Sequence, residues 1–490
     1  MDRGGVRLNN KKLKMYIGGE WRDSVSRENF PTINPASRET LALVPAGNAQ
    51  DIDLAVQAAR QTFESEAWQT FDPAERGRLL YLVAQRMREN KEKLAELESL
   101  DTGKPISQAH ADVEAGAKYF EYYAGVADKI LGETIPVQHH ILDYTVREPV
   151  GVTAHIVPWN YPLQITSRGT AAAIATGNTV VIKPAEDTPL TALELASIME
   201  EVGFPAGVYN VVTGFGLEAG AALAGHPDVD HITFTGSVQT GQAVMTAAAQ
   251  NIKPVTMELG GKSPNIVFAD CDQTEALDWV VRSIIQNAGQ TCSAGARLVI
   301  ESSIREAFVE KIKQRMESLT LGPGLKDPDL GPIISEKQLM RIEQFMEMAR
   351  NEGVRFVTGG ERARVEGAPE GFFFKPTILD DVRLESRLAQ EEIFGPVLTV
   401  FPFESEEEAL QIANGTEYGL VTGIWTHNIK RAHRLAQKVR SGQVFINNYG
   451  AGGGVPMPFG GYKKSGFGRE KGLEALRNYT QLKNVAVKMN

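Results

Sequence analysis

The residue best suited to covalent chemistry is Cys292, one of two cysteines in the 490-residue chain. It lies in the stretch NAGQTCSAG, where small and polar neighbours allow a ligand to approach the backbone closely. A free cysteine has a pKa of about 8.5, so it needs a nearby positive charge or a base to act as a nucleophile. The other cysteine, Cys271, stands between two aspartates in FADCDQ, and negative neighbours raise the pKa of a thiol. A lone cysteine is often only a small buried hydrophobe, but the polar context of Cys292 favours a nucleophile.

Two further side chains have the chemistry to assist such a nucleophile. Asn160 ends the run IVPWN, and its amide can donate to a developing oxyanion. Glu258 precedes a double-glycine turn in MELGGKSP, where a carboxylate can serve as a general base. Each also has an ordinary interpretation, because asparagines at strand ends form turns and glutamates are usually solvated. Only the fold can bring these residues together around Cys292.

A candidate phosphate-binding turn lies in HITFTGSVQTGQAV. Gly236 and Gly241 follow a predicted strand and open a helix, whose free N–H groups attract phosphate. The stretch is neither GxGxxG nor a P-loop, because Gln242 stands where the P-loop has its lysine. In VVIKPAE, Lys183 and Glu186 follow another predicted strand, as binding of a nucleotide ribose requires. A plain turn and a solvated strand exit are the structural alternatives.

The elements that must position these residues alternate between strand and helix from residue 150 onward. The predicted strands are GVTAHIVPWN, TVVIKPAE, GVYNVVTG and VDHITFTGS, with LTALELASIMEEVG as a helix. A second alternating region has RLVIESS as strand and IREAFVEKIKQRM as a helix that we expect to end at the glycines of LGPGL. The stretch KPVTMELGGKSP is predicted to connect the two regions. This alternation favours βαβ units and parallel sheets.

A long helix is predicted over residues 72–100. Asp72 suits the N-cap, Pro73 the first helical position, and Glu75 a capping box. Apolar residues then recur at helical spacing, and DTGKP is expected to end the helix.

Length, charge and cysteine usage exclude several classes of protein. A chain of 490 residues is too long for one core, so two or three domains are expected. The net charge of −10 argues against nucleic acid as the main partner. Basic residues at the N-terminus, including Arg3 and Arg7, are followed by no apolar stretch, which predicts neither signal peptide nor membrane span. Two cysteines cannot form a disulfide framework and favour the cytoplasm, and the eight histidines show no metal-binding spacing.

In order along the chain, seven motifs resemble those of the NAD(P)-dependent aldehyde dehydrogenase superfamily. They are IVPWNYP, GNTVVIKPAE, FTGSVQTG, MELGGKSP, NAGQTCSAG, EEIFGPV and MPFGGYKKSGFGRE. The resemblance runs from MYIGGEW at 15–21 to YTQLKNV at 479–485. It implies an α/β protein with a Rossmann-like cofactor domain (1–126 and 150–257), an α/β catalytic domain (258–461), and a small β element for bridging and oligomerisation (127–149 and 462–490).

The resemblance also implies a mechanism. Cys292 would attack the aldehyde to give a thiohemiacetal, while Asn160 and the backbone N–H of Cys292 stabilise the oxyanion. After hydride transfer to the nicotinamide, Glu258 would activate water to hydrolyse the thioester. The implied cofactor-binding residues are Trp159, Lys183, Glu186, Gly216, Gly236, Ser237, Glu392 and Phe394. Glu186 favours NAD because a carboxylate repels a 2′-phosphate, although Lys183 leaves NADP open.

One departure from the family pattern bears on the substrate. Many members carry a tryptophan and a lysine eight and nine residues after the asparagine, where this chain has Arg168 and Gly169. The lysine is thought to pair with a glutamate matching Glu470 in a proton path, which leaves the role of Glu470 open. Arginine at this position resembles relatives that oxidise succinic semialdehyde or hydroxybenzaldehydes. An acidic or aromatic aldehyde is therefore one expectation, and a structural ion pair for Arg168 is the alternative.

The remaining pocket residues refine this expectation. Relatives of the succinic semialdehyde type carry a second arginine where this chain has Gln286, and loss of the tryptophan argues against betaine aldehyde. Tyr161, Thr291 and Phe459 are the other expected substrate contacts, and the glycine-rich NNYGAGGGVPMPFGG predicts a roomy pocket.

Three functions remain to be compared. A hydrolytic, NAD-preferring aldehyde dehydrogenase is favoured over a CoA-acylating one, because the latter needs no water-activating Glu258. A non-catalytic protein that retains the fold is the third, although all three candidate catalytic residues are present. The alternating stretch LDYTVREPVG predicts an exposed-edge strand, so a homodimer or homotetramer is expected.

Overall fold

The computed structural model describes residues 8, 11–450 and 454–489. Arg3 and Arg7 of the basic N-terminus, and residues 451–453 of the glycine-rich loop, lie outside the described residues. The strands are β1 (Lys11–Lys12), β2 (Met15–Ile17), β3 (Glu20–Arg22), β4 (Asn29–Ile33), β5 (Thr40–Pro45), β6 (Thr134–Ile135), β7 (Ile141–Pro149), β8 (Val152–Ile156), β9 (Thr179–Lys183), β10 (Tyr209–Val211), β11 (His231–Thr235), β12 (Val255–Glu258), β13 (Pro264–Val267), β14 (Arg297–Glu301), β15 (Arg355–Thr358), β16 (Thr377–Asp380), β17 (Val397–Phe403), β18 (Val421–Trp425), β19 (Gln443–Ile446), β20 (Gly466–Phe467) and β21 (Thr480–Lys488). The helices are α1 (Ala49–Glu64), α2 (Glu66–Gln69), α3 (Pro73–Glu89), α4 (Lys91–Thr102), α5 (Ile106–Ala124), α6 (Pro162–Ala175), α7 (Leu190–Glu201), α8 (Ala221–Gly225), α9 (Val238–Ala249), α10 (Gln273–Ile285), α11 (Arg305–Glu317), α12 (Glu336–Asn351), α13 (Arg387–Gln390), α14 (Glu406–Asn414) and α15 (Ile429–Lys438).

The first large sheet has eight strands in the order β20-β12-β11-β8-β9-β10-β2-β3. Its five central strands, from β12 to β10, are parallel, and α6 and α7 connect β8 to β9 and β9 to β10. These strands and α7 confirm the alternation predicted from the sequence. The chain adds β9 and β10 on one side of β8, then β11 and β12 on the other. In such sheets ligands bind at the carboxyl ends of the strands where the order reverses, which here lies between β8 and β11.

The second large sheet has seven strands in the order β15-β16-β17-β14-β13-β18-β19, all parallel except β15. The predicted strand RLVIESS is β14, and the helix that follows is α11. This helix ends at Glu317 with Ser318 as its C-cap, before Gly322, so the expectation that glycines end it is wrong. The link from β12 to β13 carries the chain from the first sheet to the second, as predicted.

A third, small sheet has the order β21-β7-β6, and another three-stranded sheet has the order β1-β5-β4. The predicted edge strand LDYTVREPVG contains most of β7, which lies in the centre between β21 and β6, so that prediction is wrong. The edge position belongs to β21, which pairs with β7 from Thr480 to Lys488 and is largely exposed. Most residues of β7 are only partly buried, a property that central strands of small sheets share with edge strands.

The helix predicted over residues 72–100 is divided in two at Asn90. The Asn90 side chain donates to the Arg86 carbonyl at 2.9 Å, and this local bond competes with continuation of the helix. Asp72 is the N-cap as predicted, but Glu75 bonds Arg78 instead of closing a capping box. The second half ends at Gly103, whose φ of 80° and contact with the ring of Pro332 leave no room for a side chain.

Within the described residues, the helices are all too short or too polar to cross a bilayer. Across the same part of the chain, no group of three or more His, Cys, Asp and Glu side chains is arranged to hold a metal ion.

Candidate active site

A cavity lies at the carboxyl ends of the first sheet, next to the loop that contains Cys292. Cys292, Asn160 and Glu258 all line this cavity, although more than 130 positions separate Asn160 from Cys292 along the chain. Its other lining residues are Pro158, Trp159, Thr235, Gly236, Ser237, Gly260, Gln338, Arg341, Glu392 and Phe394. A concave space lined by apolar groups and a few convergent polar ones is typical of sites for small molecules and cofactors. The fold therefore brings the three candidate catalytic residues to one accessible space.

The backbone just before Cys292 is strained. Asn287, Ala288 and Gly289 follow one another in the left-handed region, with φ of 49°, 53° and 73°. Left-handed non-glycine residues cost on the order of 1 kcal/mol or more each and persist where the surroundings hold them in place. At Gly289 a side chain would collide with the carbonyl of Gly395, so glycine is required there. Strain of this kind is typical of turns that present a reactive side chain.

Hydrogen bonds hold the strained turn in place. The side chain of Gln290 donates to the carbonyl of Asn287 at 3.0 Å and accepts from the N–H of Ile334 at 2.9 Å. On the other side of the cysteine, the Tyr449 hydroxyl donates to the carbonyl of Ser293 at 2.7 Å. The loop is therefore fixed on both sides of Cys292, as a preorganised site requires.

Asn160 is anchored through both its side chain and its carbonyl. Its side-chain Nδ2 donates to the carbonyl of Gln290 at 3.0 Å, which ties it to the cysteine loop. Its own carbonyl accepts from Asn287 Nδ2 at 2.9 Å and from Lys104 Nζ at 3.0 Å. A primary amide has two N–H donors, so the bond to Gln290 leaves one for an oxyanion in the cavity. The geometry fits the role predicted for Asn160.

The Glu258 carboxyl is buried at the end of β12. Burial, together with the nearby charge of Glu470, raises the pKa of Glu258 well above its usual value, against the opposing effect of Arg168. Ionisation of the carboxyl is therefore disfavoured, and it can act as a base only in its ionised form. Such a raised pKa is typical of carboxylates that carry out acid–base chemistry.

The Cys292 thiol also resists ionisation. Burial raises its pKa to about 12, and the carboxylate of Glu392 adds to this effect while Arg168 opposes it. The sequence-based expectation that the thiol needs a positive partner therefore holds in the folded protein. Cys271, by comparison, lies in the core beside α10, and burial together with Asp270 raises its pKa to about 12.

Five of the eight predicted cofactor residues line the cavity. Trp159 and Phe394 form an edge-to-face pair with ring centroids 5.2 Å apart. Ser237 is the N-cap of α9, directly after Gly236 at the end of β11, so the positive end of that helix faces the cavity. Glu392 accepts from the N–H of Gly261 at 2.9 Å. These residues form one continuous wall next to Cys292.

The other three cofactor candidates lie farther along the same edge of the sheet. Lys183 ends β9 and its Nζ lies 3.1 Å from the carboxylate of Glu186. Gly216 begins the short helical turn Gly216–Gly220, and Gly220 packs next to the side chain of Lys183. Since β9 is the neighbour of β8, this second group lies beside the cavity without lining it.

The four predicted substrate residues form two pairs outside the lining of this cavity. The hydroxyls of Tyr161 and Thr291 are 2.9 Å apart, and the two residues follow Asn160 and precede Cys292 in the chain. Arg168 lies over the ring of Phe459, with 5.4 Å between the guanidinium carbon and the ring centroid. A direct role for any of them in substrate binding stays a prediction.

Arg168 forms a buried ion pair with Glu470. Arg168 is therefore the partner of Glu470 in place of the lysine that many relatives have. At Gly169, where many relatives have that lysine, a side chain would collide with the ring of His155. His155 is buried and stacked against Tyr479, and burial lowers its pKa to about 3. The neutral imidazole therefore occupies the space that a longer residue would need, and the cation is supplied from position 168.

Several residues at the site gave no signal in the sequence. Gln338 and Arg341 on α12 donate to the carbonyls of Phe394 and Glu392 at 2.9 Å, and so hold the EEIFGPV loop. Lys104 contacts Asn160 from a different part of the chain. Polar side chains of this kind cannot be told apart from solvated ones without the tertiary structure.

The fold and the cavity define an α/β protein in which a cysteine lines a cavity at the switch point of the first sheet. Residues 21–485 match the aldehyde dehydrogenase family, and the chain belongs to that family. It is 44% identical to cytosolic aldehyde dehydrogenase 1 of Mus musculus, over 97% of this chain and 95% of the relative. It is 42% identical to betaine aldehyde dehydrogenase of Bacillus subtilis, over 96% of each. The solved NAD⁺ complex of an aldehyde dehydrogenase from Bacillus cereus is similar, with a TM-score of 0.96, 45% identity, and coverage of 99% of this chain and 98% of that one.

Proposed function

We propose that the protein oxidises an aldehyde to a carboxylic acid, with NAD as the preferred cofactor and water as the final nucleophile. The observation that carries this proposal is the convergence of Cys292, Asn160 and Glu258 on one cavity beside the N-terminus of α9. A thiol, an amide donor and a carboxyl base are the parts that thioester formation and hydrolysis require.

The residues of the site fit a dinucleotide. A side chain at Gly260 would collide with the carboxylate of Glu392, so the glycine keeps this acceptor open to the cavity. We assign Gly236, Ser237 and the N-terminus of α9 to the pyrophosphate, and Glu392 to the nicotinamide ribose. Bound NAD supplies a hydride acceptor and a positive charge on its ring.

The residues of the chain then carry out the remaining steps. The Cys292 thiolate attacks the carbonyl carbon, and the free N–H of Asn160 stabilises the oxygen as its negative charge develops. Loss of hydride from the resulting thiohemiacetal leaves a thioester on Cys292. Glu258 removes a proton from water, which attacks the thioester and releases the acid and the thiol.

The test is a stoichiometric assay with a panel of aldehydes. We expect equal amounts of acid and NADH with a preferred aldehyde, and no change of product when coenzyme A is added. A thioester of coenzyme A as product would favour the acylating alternative, which does not need Glu258. Absence of NAD binding in a thermal-shift assay would favour a non-catalytic role. The panel includes betaine aldehyde, because one relative is named for it although Arg168 replaces the tryptophan.

Glu186 provides a test of cofactor preference. Replacing Glu186 by Ser removes an acceptor for ribose hydroxyls and frees Lys183, its partner at 3.1 Å, for a 2′-phosphate. We expect the ratio of kcat/KM for NAD over NADP to fall by about 10–100-fold, the effect of losing one or two charge-assisted hydrogen bonds. Initial rates with both cofactors measure it. The matched control is Glu201→Ser at the far end of α7, and an unchanged ratio in Glu186→Ser would contradict the assignment.

Arg168 provides a test of substrate class. Because Glu470 already engages its guanidinium, we propose that Arg168 acts through this ion pair more than through the substrate. Arg168→Ala leaves a buried carboxylate without its counter-ion, at a cost of about 3–5 kcal/mol in the free energy of unfolding. We expect kcat/KM to fall by a similar factor for propanal, succinic semialdehyde and 4-hydroxybenzaldehyde. A rise in KM confined to the acidic or hydroxyaromatic aldehyde would instead support the substrate contact predicted from the sequence.

We also propose a homo-oligomer, located in the cytoplasm, in which β21 pairs with a second copy. The nine residues of β21 lie at the edge of the small sheet, and Leu482 and Val487 are exposed there. A free edge of this length favours pairing with another strand. Sedimentation velocity distinguishes a dimer from a tetramer.

The division into a cofactor domain, a catalytic domain and a bridging element at the boundaries given above is part of the same proposal.

A further inference from the structure

A buried group of three charges lies beneath Asn160. The side chains of Lys104 and Glu98 are completely inaccessible to solvent, and that of Asp112 is 8% exposed. Lys104 Nζ donates to Glu98 Oε1 at 3.2 Å and to Asp112 Oδ2 at 2.5 Å. Lys104 follows the end of α4 and Asp112 lies on α5, so the group joins two helices that pack against α7 and α6. Complete burial of a lysine is unusual and requires paired partners.

The third hydrogen bond of Lys104 leads directly to the active site. Its Nζ donates to the carbonyl of Asn160 at 3.0 Å, and the ammonium lies 4.3 Å from the ring centroid of Tyr161. Glu98 reaches the same segment from the other side, because its Oε2 accepts from the N–H of Leu163 at 3.3 Å. The ammonium has three donors, and all three are used. The charged group therefore fixes the backbone that carries the oxyanion donor.

The Asn160 carbonyl has a second hydrogen-bond donor, which connects it to the cysteine loop. Asn287 donates to it from the strained turn before Cys292, at 2.9 Å. The carbonyl is thus held between Lys104 in the helical layer and Asn287 in the cysteine loop. A displacement of this carbonyl would move the Asn160 amide relative to the sulfur. An oxyanion donor must lie within a few tenths of an ångström of its productive position to stabilise the transition state.

We propose that Lys104, held by Glu98 and Asp112, is a positioning residue for the oxyanion site and acts through Asn160. This inference rests on the proposed function. Lys104 would not touch the substrate, but it would position Asn160, which does. Two of its three bonds satisfy carboxylates, and the third reaches the segment that carries Asn160. A positioning role therefore predicts a loss of kcat, which a role in stability alone does not.

The test is a double-mutant cycle between the charged group and Asn160. Two variants remove the bond to the carbonyl: Lys104→Met, and the triple variant Glu98→Gln/Lys104→Met/Asp112→Asn. The triple variant avoids unpaired buried carboxylates, since neutral replacement of a whole buried ionic group is often tolerated. We expect kcat/KM for the aldehyde to fall by about 10–100-fold, mainly through kcat. The loss is smaller than for removal of the oxyanion donor, because the Asn160 amide is displaced but still present. Affinity for NAD should stay within about two-fold, the range expected for a contact that the change does not touch.

The cycle is completed with Asn160→Ala. If Lys104 acts through Asn160, the same changes in that background lower kcat/KM by less than about two-fold, whereas independent effects would multiply. The matched control is Thr191→Val, which removes a partner of Glu98 at 3.2 Å and leaves the bond to Asn160 intact, with activity unchanged. The proposal is overturned by full activity of the triple variant, by equal losses in both backgrounds, or by failure of both variants to keep the native circular dichroism. An inactive wild-type chain would overturn the proposed function instead.

Discussion

Replacing Cys292 by Ala is expected to abolish formation of both acid and NADH. The thiol is the nucleophile that turns one difficult step into two easier ones, and loss of a covalent nucleophile lowers kcat by about 10⁴-fold or more. We expect NAD binding to persist, because the residues assigned to the cofactor are unchanged in this variant. Steady-state rates with the preferred aldehyde, together with a thermal-shift titration of NAD, measure both properties. A variant that binds NAD and still produces acid would contradict covalent catalysis.

Cys271→Ala is the matched control for this experiment. Cys271 is the other free cysteine, and it packs in the core of the second sheet away from the cavity. We expect wild-type kcat and a loss of about 1 kcal/mol in the free energy of unfolding, the cost of a small core truncation. Equal inactivation by the two substitutions would point to unfolding rather than to chemistry.

The raised pKa of Cys292 adds a measurable pH dependence. With a pKa of about 12, the thiolate fraction at neutral pH is small and rises tenfold for each pH unit. Alkylation of Cys292 by iodoacetamide should therefore accelerate tenfold per unit between about pH 6 and pH 9, a range well below this pKa. Addition of NAD should accelerate it further, because a positive charge next to the sulfur lowers the pKa of a thiol.

Much of the fold could be predicted from local sequence signals. The strands β8 (VTAHI), β9 (TVVIK) and β11 (HITFT) are rich in β-branched residues, and proline or glycine follows each within two residues, a pattern that indicates strands. The division of the helix at Asn90 was not predicted, because leucines continue at helical spacing on both sides of it. The place of β7 in its sheet depends on β21, more than 300 residues later in the chain, and no local pattern contains that pairing.

The site was predictable in composition but not in arrangement. Cys292, Asn160 and Glu258 each follow from the chemistry of a residue type at the end of a strand or in a glycine-rich turn. Asn160 and Glu258 meet where the strand order of the first sheet reverses, and Cys292 reaches them from the loop before β14 of the second sheet. Both are properties of the whole fold. A structural ion pair for Arg168 was one of two alternatives in the sequence, but its partner was not predicted. The structure gives Glu470 as that partner, and the collision between position 169 and His155 decides which residue supplies the cation. Long-range packing of this kind leaves no trace in residue spacing.

Replacing Glu258 by Gln is expected to stop the reaction after the first half. The amide is close to the carboxyl in shape but cannot accept a proton from water. Thioester formation does not need that proton transfer, so mixing with NAD and aldehyde should give a rapid burst of about one NADH per subunit. Steady-state turnover should then fall by about 10²–10⁴-fold, the usual contribution of a general base. Stopped-flow absorbance of NADH measures both phases.

A strong external nucleophile separates this effect from misfolding. Hydroxylamine attacks a thioester without a general base, so it should restore turnover of Glu258→Gln and give a hydroxamate as product. The same addition has no effect on Cys292→Ala, which forms no thioester. Absence of a burst in Glu258→Gln, or turnover equal to that of the wild type, would show that Glu258 is not the base.

The pKa of Glu258 also predicts how turnover depends on pH. Burial, followed by the charge of Glu470, raises this pKa well above the usual value, and a base works only in its ionised form. The hydrolytic step should therefore speed up as the pH rises toward the pKa of Glu258 and level off above it. The substitution Glu470→Gln removes a negative charge that raises the pKa of Glu258. It also leaves Arg168 without its counter-ion, so the positive charge of Arg168 lowers that pKa further. The rising limb of kcat against pH should then move to lower pH. A shift to higher pH, or none, would show that the two carboxyls are not coupled in the working enzyme.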